Sequence, residues 1–203
     1  MNLFQPSDEK FPNQLPSDGE AIYYGPILPF SQAKDYLTLL LCEIPWEHDE
    51  LTIFGRKIVT KRRTAWFGDE PFEYTYSNST KTALPWTKAL LELKQLAEKH
   101  AGESFNSCLL NLYDDGGQGM GWHSDDEDSI VPNSAIASIS LGAERPFDLR
   151  HKESKEKIRI LLATGSLLVM KGQCQQYWQH HLPMTKKVKT PRVNLTFRKM
   201  KVG

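Results

Sequence analysis

The sequence is short of cysteine and of long apolar runs. Its three cysteines, Cys42, Cys108 and Cys174, lie far apart and form no CxxC pair, which excludes a disulfide framework and favours a reducing compartment. No apolar run approaches the roughly 20 residues that a helix needs to cross a bilayer. We therefore expect a protein without a membrane partner, located in the cytoplasm or, if its source is eukaryotic, in the nucleus.

An excess of charge is also absent, because 25 lysines and arginines balance 25 aspartates and glutamates. This balance argues against a uniformly basic surface. Charges of one sign nevertheless cluster: acidic side chains occupy residues 125–128, and basic side chains are concentrated at residues 61–63 and 186–189. Local patches of this kind, rather than the net charge, decide what approaches a particular face.

The length of 203 residues fits one domain with a sizeable core. Residues 1–20 are polar, contain prolines and lack the apolar segment of a signal peptide, so we expect a flexible N-terminal arm followed by a single domain over residues 21–203. Ser31 is a candidate N-cap for a first helix. A second helix is expected at about residues 86–100, with Gly102 suited to its C′ position.

Strands are expected in most of the remaining chain. Residues 51–77 are rich in Thr, Ile, Val, Tyr and Phe, which is typical of strands or hairpins. After the second helix, short β-like segments follow one another with turn residues between them: 105–113, 135–141, 147–150, 158–162, 166–170, 177–181 and 192–198. Many short strands at even spacing indicate a sandwich or barrel. We therefore predict an α+β, mainly β fold, in which N-terminal helices accompany a jelly roll.

The stretch GWHSDDED (residues 121–128) places four acidic residues just after a histidine. In an extended segment His123 and Asp125 point to the same face. With a second, distant histidine they would complete the 2-His-1-carboxylate triad that holds non-haem Fe(II). His180 and His181 lie on an aromatic segment that leads to a proline, and one of the two should point inward. A solvated acidic loop is the alternative explanation.

Residues 192–198 alternate strictly between polar and apolar side chains. Either the apolar face packs into the core and the polar face (Arg192, Asn194, Thr196 and Arg198) is solvated, or the polar face points into the barrel. In the second case two guanidiniums and an amide are aimed at an anion. A dicarboxylate would satisfy them through bidentate, charge-assisted hydrogen bonds.

Five segments occur in an order typical of one enzyme family: NLY (111–113), WHSDDE (122–127), IASISLG (136–142), WQH (178–180) and PRVNLTFR (191–198). Together they resemble the AlkB family of Fe(II)- and 2-oxoglutarate-dependent dioxygenases, and most of all its branch with the human DNA-repair demethylases. The resemblance implies a double-stranded β-helix (jelly-roll) core at about residues 105–200. It also implies a β nucleotide-recognition lid at about residues 51–80, and catalysis by a monomer with Fe(II), 2-oxoglutarate and O2.

Carried over position by position, the resemblance implies three iron ligands: His123, Asp125 and His180. His180 is preferred to His181 because the family's histidine follows Trp-x and precedes x-Leu-Pro. The family's 2-oxoglutarate positions fall on five residues: Asn111, Tyr113, Arg192, Asn194 and Arg198. Of these, Arg198 is expected to pair with the distal carboxylate, while Arg192 and Asn111 are expected to lie near the metal.

The resemblance also implies a reaction, namely hydroxylation of an N-alkyl group on a nucleobase with release of formaldehyde and succinate. Bases such as 1-methyladenine and 3-methylcytosine in DNA would be the substrates, flipped out of the duplex to reach the iron. The expected nucleic-acid contacts are Phe54 as a wedge in the vacated stack, Tyr76 stacked on the base, Asp126 and Glu127 beside a cationic base, and Arg150, Lys186 and Lys187 on the phosphate backbone. The structural alternatives are hairpin-tip packing for Phe54, a cross-strand pair for Tyr76 and a solvated face for the lysines.

Three other functions share parts of this pattern. An RNA-directed demethylase or hydroxylase, or a 2-oxoglutarate hydroxylase of proteins or small molecules, would use the same iron chemistry. A jelly-roll binding module with a structural metal would not need 2-oxoglutarate-binding residues at Arg192, Asn194 and Arg198. Ser124 stands where some duplex-acting members of the family have a basic residue, so the preference between single and double strands stays open.

Overall fold

The computed structural model describes residues 11–53, 56–76 and 79–202. Its elements are, in chain order, β1 (Glu20–Pro26), α1 (Phe30–Glu43), β2 (Glu47–Ile53), β3 (Arg56–Gly68), β4 (Glu73–Tyr76), β5 (Ser79–Thr82), α2 (Lys88–Ala101), β6 (Ser107–Tyr113), β7 (Met120–His123), β8 (Ile136–Gly142), β9 (Arg145–His151), β10 (Lys157–Leu162), β11 (Ser166–Lys171), α3 (Cys174–Tyr177), β12 (Trp178–Leu182) and β13 (Arg192–Arg198). No helix within these residues is long and apolar enough to cross a membrane.

Two antiparallel sheets form the body of the protein. The larger has seven strands in the order β1-β11-β8-β13-β6-β3-β2, and the smaller has four in the order β10-β9-β12-β7. Side chains from both sheets share one buried cluster, so the sheets face each other. The predicted mainly β jelly roll is confirmed. In the expected lid region, β2 and β3 extend the larger sheet, whereas β4 and β5 form a separate hairpin.

A second core lies on the other side of the larger sheet. Leu40 of α1 and Leu93 of α2 pack there against strand residues such as Leu110 and Ile139, all of them fully or almost fully buried. An amphipathic helix must bury its apolar stripe, and an outward sheet face offers the surface for it. The larger sheet is therefore covered by helices on one face and by the smaller sheet on the other.

Strand β13 divides its side chains between these two layers. Val193, Leu195 and Phe197 are completely buried in the helix-side core. Because neighbouring side chains in a strand point to opposite faces, the polar positions face the space between the two sheets. Of the two alternatives that the sequence left open, the inward-pointing polar face is the one observed.

Helix α2 lies close to its predicted range, whereas the predicted start of α1 differs from the observed one. Thr87 caps α2, with its hydroxyl accepting a hydrogen bond from the Leu90 amide (3.3 Å). Gly102 ends this helix at φ 69°, in the left-handed region that favours glycine. The predicted N-cap at Ser31 is wrong. Helix α1 begins earlier, at Phe30, after Pro29, whose ring fixes φ near the observed −54°.

The N-terminal segment packs against the domain from residue 11 onward. Asn13 forms a β-bridge with Ile22, Leu15 is buried, and the Trp178 indole donates a hydrogen bond to the carbonyl of Ser17 (3.1 Å). The expectation of a flexible arm is thus corrected for residues 11–20. Polar composition suggested a loose segment, but a few side chains anchor it to strands that are distant in sequence.

Candidate active site

Two histidines and one aspartate meet between the sheets. His123 ends β7, Asp125 follows two residues later, and His180 lies on β12, which pairs with β7 so that His180 is opposite His123. Each of the three offers one ligand atom, and these atoms lie within 4.8 Å of one another. Asp125 and His180 are buried, and His123 is partly exposed. The predicted 2-His-1-carboxylate set is therefore assembled in one place, with the chemistry that Fe(II) requires.

The hydrogen bonds and charges prepare these atoms to bind a cation. Nδ1 of His123 lies 2.8 Å from the carbonyl of Gly121, so the proton resides there and Nε2 is left free, 3.7 Å from Oδ1 of Asp125. Burial lowers the pKa of His180 to about 4 despite the attraction of Asp125. His180 can thus present an unprotonated nitrogen at neutral pH, as a metal ligand must.

Arg198 controls the orientation of the Asp125 carboxylate. Its Nε and Nη2 donate to Oδ2 of Asp125 at 3.1 and 2.6 Å, which leaves Oδ1 directed toward the histidines. Burial would raise the pKa of Asp125, but Arg198 and then the two histidines outweigh it and hold the pKa at about 2. The carboxylate is therefore ionised at neutral pH.

The expected positions of the two strand arginines are reversed. Arg198 lies at the metal end, and Arg192 lies at the far end of β13. Six residues of extended chain separate the two side chains by about 20 Å, so both cannot reach the metal. The alternation of the sequence identifies the face on which the arginines lie, but it does not say which end of the strand is beside the iron ligands.

Arg192 is a buried cation with unused hydrogen-bonding capacity. It is 2% exposed. Its Nη2 donates to the hydroxyl of Ser140 (2.9 Å), its guanidinium lies 5.6 Å from the centroid of the Tyr113 ring, and its Nε has no partner. Among the described residues no carboxylate forms an ion pair with it. Burial lowers the pKa of Arg192 to about 10, so it stays charged at neutral pH and fits the carboxylate of a bound ligand such as 2-oxoglutarate.

One cavity of about 830 Å³ joins the metal cluster to this arginine. All the residues expected to hold the metal and 2-oxoglutarate line it: Asn111, Tyr113, His123, Asp125, His180, Arg192, Asn194 and Arg198. The amide of Asn194 is itself fixed, because Nδ2 donates to Ser138 (2.8 Å) and to the carbonyl of Ile139 (3.1 Å). Metal ligands and anion-binding groups thus share a single chamber.

A polar cluster on one wall of the cavity was missed by the sequence analysis. Asp49 accepts hydrogen bonds from Thr64 (2.9 Å) and Lys81 and contacts Arg62 at 3.4 Å. Nε of Arg62 in turn donates to Oδ1 of Asn111 (3.0 Å). Since Oδ1 is occupied, the NH2 group of Asn111 is left for other partners. The alternation of Arg62 and Thr64 on one strand face was an available signal, but Asp49 joins them through the pairing of β2 with β3, and Lys81 reaches them from the separate β4-β5 hairpin.

Comparisons with known proteins agree with this site. A family model described as the 2OG-Fe(II) oxygenase superfamily matches residues 20–198. The DNA oxidative demethylase ALKBH2 of Mus musculus is 41% identical over 177 residues, which cover 83% of this chain and 71% of that protein. The chain belongs to the AlkB family of 2OG-Fe(II) oxygenases. Enzymes of this superfamily use Fe(II), 2-oxoglutarate and O2, for which the chamber has matching residues.

Other AlkB relatives show similar values. ALKBH2 of Homo sapiens is 42% identical over 156 residues, covering 73% of this chain and 60% of that protein. The alpha-ketoglutarate-dependent dioxygenase alkB homolog 3 of Homo sapiens is 39% identical over 175 residues, covering 81% and 60%. The chain thus spans between 60% and 71% of the length of these three relatives. A solved structure of OsALKBH1, 14% identical, matches with a TM-score of 0.61 over 88% of this chain and 97% of that one, which supports the fold alone.

Only one of the two acidic residues expected beside an AlkB substrate base lines the main cavity. Glu127 lines the main cavity. Asp126 does not; it lies 3.4 Å from Nζ of Lys152 and borders a separate hollow of about 350 Å³. The expectation that both acids flank the base is therefore corrected for Asp126. Glu127 borders this second hollow as well, so of the two acids only Glu127 reaches both spaces.

The expected phosphate contacts lie outside the cavity. Arg150 faces outward from the smaller sheet, where its Nη2 donates to Gln179 (2.9 Å) and its guanidinium lies 4.3 Å from the centre of the Trp122 ring. Lys186 and Lys187 are exposed in the segment between β12 and β13. These three cations are not part of the chamber, and two of them are open to solvent.

Two expected base contacts are not described by the structure. Phe54 lies outside the described residues. Tyr76 ends β4, but its side chain is likewise outside the described part. The expectation that Phe54 acts as a wedge and Tyr76 stacks on the base therefore stays a prediction from the sequence.

Proposed function

We propose that this protein is an oxidative demethylase that removes alkyl groups from N-alkylated bases in DNA, such as 1-methyladenine and 3-methylcytosine. The observation that carries the proposal is the single chamber lined both by a His-Asp-His cluster and by the buried guanidinium of Arg192, whose Nε has no hydrogen-bond partner among the described residues. Relatives named DNA oxidative demethylase, at 41% and 42% identity, support DNA as the substrate. We expect the protein to act as a monomer, in the cytoplasm or nucleus.

In this proposal the residues of the chamber divide into two groups. His123, Asp125 and His180 hold Fe(II), and Arg198 keeps one oxygen of Asp125 turned toward it. Arg192 binds the distal carboxylate of 2-oxoglutarate, which supplies the missing partner of its Nε. Asn111, Tyr113 and Asn194 line the space between the two ends. When bound, Fe(II), 2-oxoglutarate and O2 together supply the oxidising chemistry.

The protein must also present the alkylated base to this chamber. A base inside a duplex cannot reach it, so the nucleotide is flipped out. Glu127 is positioned to attract a cationic base and to accept a hydrogen bond from its exocyclic amine. We assign the wedge to Phe54 and the stacking contact to Tyr76, and phosphate contacts to Arg150, Lys186 and Lys187. Asp126 does not line the chamber, so a direct base contact is not assigned to it.

Formaldehyde release tests the proposal. The protein is incubated with Fe(II), 2-oxoglutarate and matched single- and double-stranded DNA oligonucleotides that carry 1-methyladenine or 3-methylcytosine, with an RNA of the same sequence as a comparison. We expect one formaldehyde and one succinate per repaired base in DNA. Faster turnover of the RNA than of the DNA would identify RNA, rather than DNA, as the substrate. Succinate formed at the same slow rate with and without any nucleic acid would point to a protein or a small molecule.

A further inference from the structure

The two segments that carry the iron ligands are joined by only a short stretch of ladder. Strand β7 ends at His123 and is paired with β12 at His180. Asp125 lies beyond the end of β7, outside any strand, so no ladder hydrogen bond fixes its backbone. Metal ligands must nevertheless be held within about 0.5 Å of their productive positions. Other contacts therefore have to hold the aspartate beside the strand that carries His180.

The backbone of Asp125 is bound by a side chain from the opposite segment. Its amide donates to Oε1 of Gln175 at 2.9 Å. Gln175 belongs to α3, the short turn that leads directly into β12. The other end of this glutamine amide, Nε2, points to Sδ of Met170 at 3.7 Å, which leaves Oε1 facing Asp125. A single neutral side chain thus connects the aspartate to the turn before His180.

The neighbouring residue makes a second connection in the same direction. The hydroxyl of Ser124 donates to the carbonyl of Trp178 at 3.0 Å. Trp178 is 1% exposed, begins β12, and lies two residues before His180. Its indole is also fixed, by the hydrogen bond to Ser17. The carbonyl that receives Ser124 is therefore part of a firmly packed strand end.

A third contact is weaker because it is exposed. Nζ of Lys152 lies 3.4 Å from Asp126 and donates to the carbonyl of Gln175 at 2.9 Å. Solvent screens such a pair, so it contributes little by itself. It does show that three consecutive residues after the histidine, Ser124 to Asp126, are each connected to the turn and strand end at residues 174–178.

We propose that Ser124 and Gln175 are positioning residues that hold the His123–Asp125 segment against the strand of His180, and thereby set how tightly and for how long the metal is bound. We call their two hydrogen bonds the clamp. The proposal rests on the iron site of the proposed function and is independent of the substrate. Arg198 fixes one oxygen of the Asp125 carboxylate, whereas the clamp fixes the backbone from which that carboxylate extends. Partners one step removed from a metal typically change its affinity 10- to 100-fold when they are lost.

The test measures metal binding directly, without nucleic acid. Co(II) replaces Fe(II), its dissociation constant is followed by visible absorption, and its release is timed with an excess of chelator. Gln175→Met keeps the length of the side chain but removes the acceptor. Gln176→Met is the matched control, because Gln176 is exposed on the same turn. Ser124→Ala removes the hydroxyl, and Ser124→Thr retains it.

We expect Gln175→Met and Ser124→Ala each to weaken Co(II) binding by about 10-fold or more and to speed its release, while Gln176→Met and Ser124→Thr stay within about 2-fold of wild type. Thermal unfolding of the metal-free variants checks that all of them fold. Unchanged affinity and release in both Gln175→Met and Ser124→Ala would overturn the clamp, as would equal losses in Ser124→Ala and Ser124→Thr. If the wild-type protein itself bound no Co(II), the iron site of the proposed function would be wrong, which is a distinct result.

Discussion

Replacing Arg192 by methionine should change stability and ligand binding in opposite directions. The guanidinium is buried with its Nε unpaired, and burial lowers its pKa from 12.5 to about 10. At about 1.4 kcal/mol for each pKa unit, keeping this charge costs the ligand-free protein on the order of 3 kcal/mol. Methionine retains an apolar stem and removes the charge. The hydrogen bond to Ser140 is lost as well, which reduces the expected gain in the free energy of unfolding by about 1 kcal/mol.

The expected net gain for ligand-free Arg192→Met is therefore about 2 kcal/mol, or a rise in Tm of roughly 4–8 °C for a domain of this size. Binding of 2-oxoglutarate should fall at the same time. A ligand carboxylate that enters this site without its cation is buried unpaired, at a cost of about 3–5 kcal/mol, which corresponds to a loss of roughly 100- to 5,000-fold in affinity. Metal affinity should not change, because Arg192 lies at the far end of the chamber.

Two measurements check this: thermal unfolding of the ligand-free protein, and calorimetric titration of 2-oxoglutarate into protein loaded with Mn(II). Arg145→Met is the matched control. Arg145 is equally buried, but it donates to the backbone carbonyls of Asp115, Gln118 and Pro183, so its loss should lower stability. If Arg192→Met also lowered stability and left 2-oxoglutarate affinity unchanged, the guanidinium would be a structural group and the assignment would fail.

Three further predictions concern the metal, the pH and the nucleic acid. Alanine at His123, Asp125 or His180 should abolish Fe(II) loading and turnover while the fold stays intact, whereas His181→Ala should retain both. If His181→Ala abolished Fe(II) loading and His180→Ala did not, His181 would be the iron ligand. Burial lowers the pKa of His180 to about 4, so only the unfolded chain takes up this proton between pH 6.5 and 4. Urea unfolding of the metal-free protein should show stability falling by up to about 3 kcal/mol as the pH drops through that window, and His180→Asn should flatten the dependence. Phe54→Ala should reduce formaldehyde release from double-stranded DNA far more than from single-stranded DNA, because only a duplex has a stack to refill; an equal loss on both would assign the residue to packing.

The parts of the site that follow from local periodicity were predictable from the sequence. The alternation over residues 192–198 identified a polar face, and the spacing of His123 and Asp125 identified a shared ligand face. Both deductions need only the two-residue repeat of an extended chain. Gly102 marked a helix end for an equally local reason, since few other residues accept its backbone conformation.

What the sequence did not predict depends on contacts between distant segments. The end of β13 that meets the iron ligands is decided by how the strands are arranged, so the sequence placed Arg192 and Arg198 at the wrong ends of the chamber. Asp49 lies beside Arg62 only after β2 has paired with β3, and Lys81 reaches it from the separate β4-β5 hairpin. The clamp of Ser124 and Gln175 likewise joins residues about 50 positions apart. No local pattern distinguishes these residues from solvated polar ones.

The two-sided nature of β13 has a consequence for how the gene can change over time. Side chains on one face of the strand pack against the helix layer, and side chains on the other face point to the chamber. Every residue of the strand therefore belongs to one of these two environments. Inserting or deleting one residue would exchange the faces, sending arginines among the helices and Val193, Leu195 and Phe197 into the chamber. Substitutions can be accepted one at a time along this strand, but a change of length cannot. We therefore expect natural and laboratory lineages of this protein to accumulate insertions elsewhere, and to keep the seven residues of β13 constant in number.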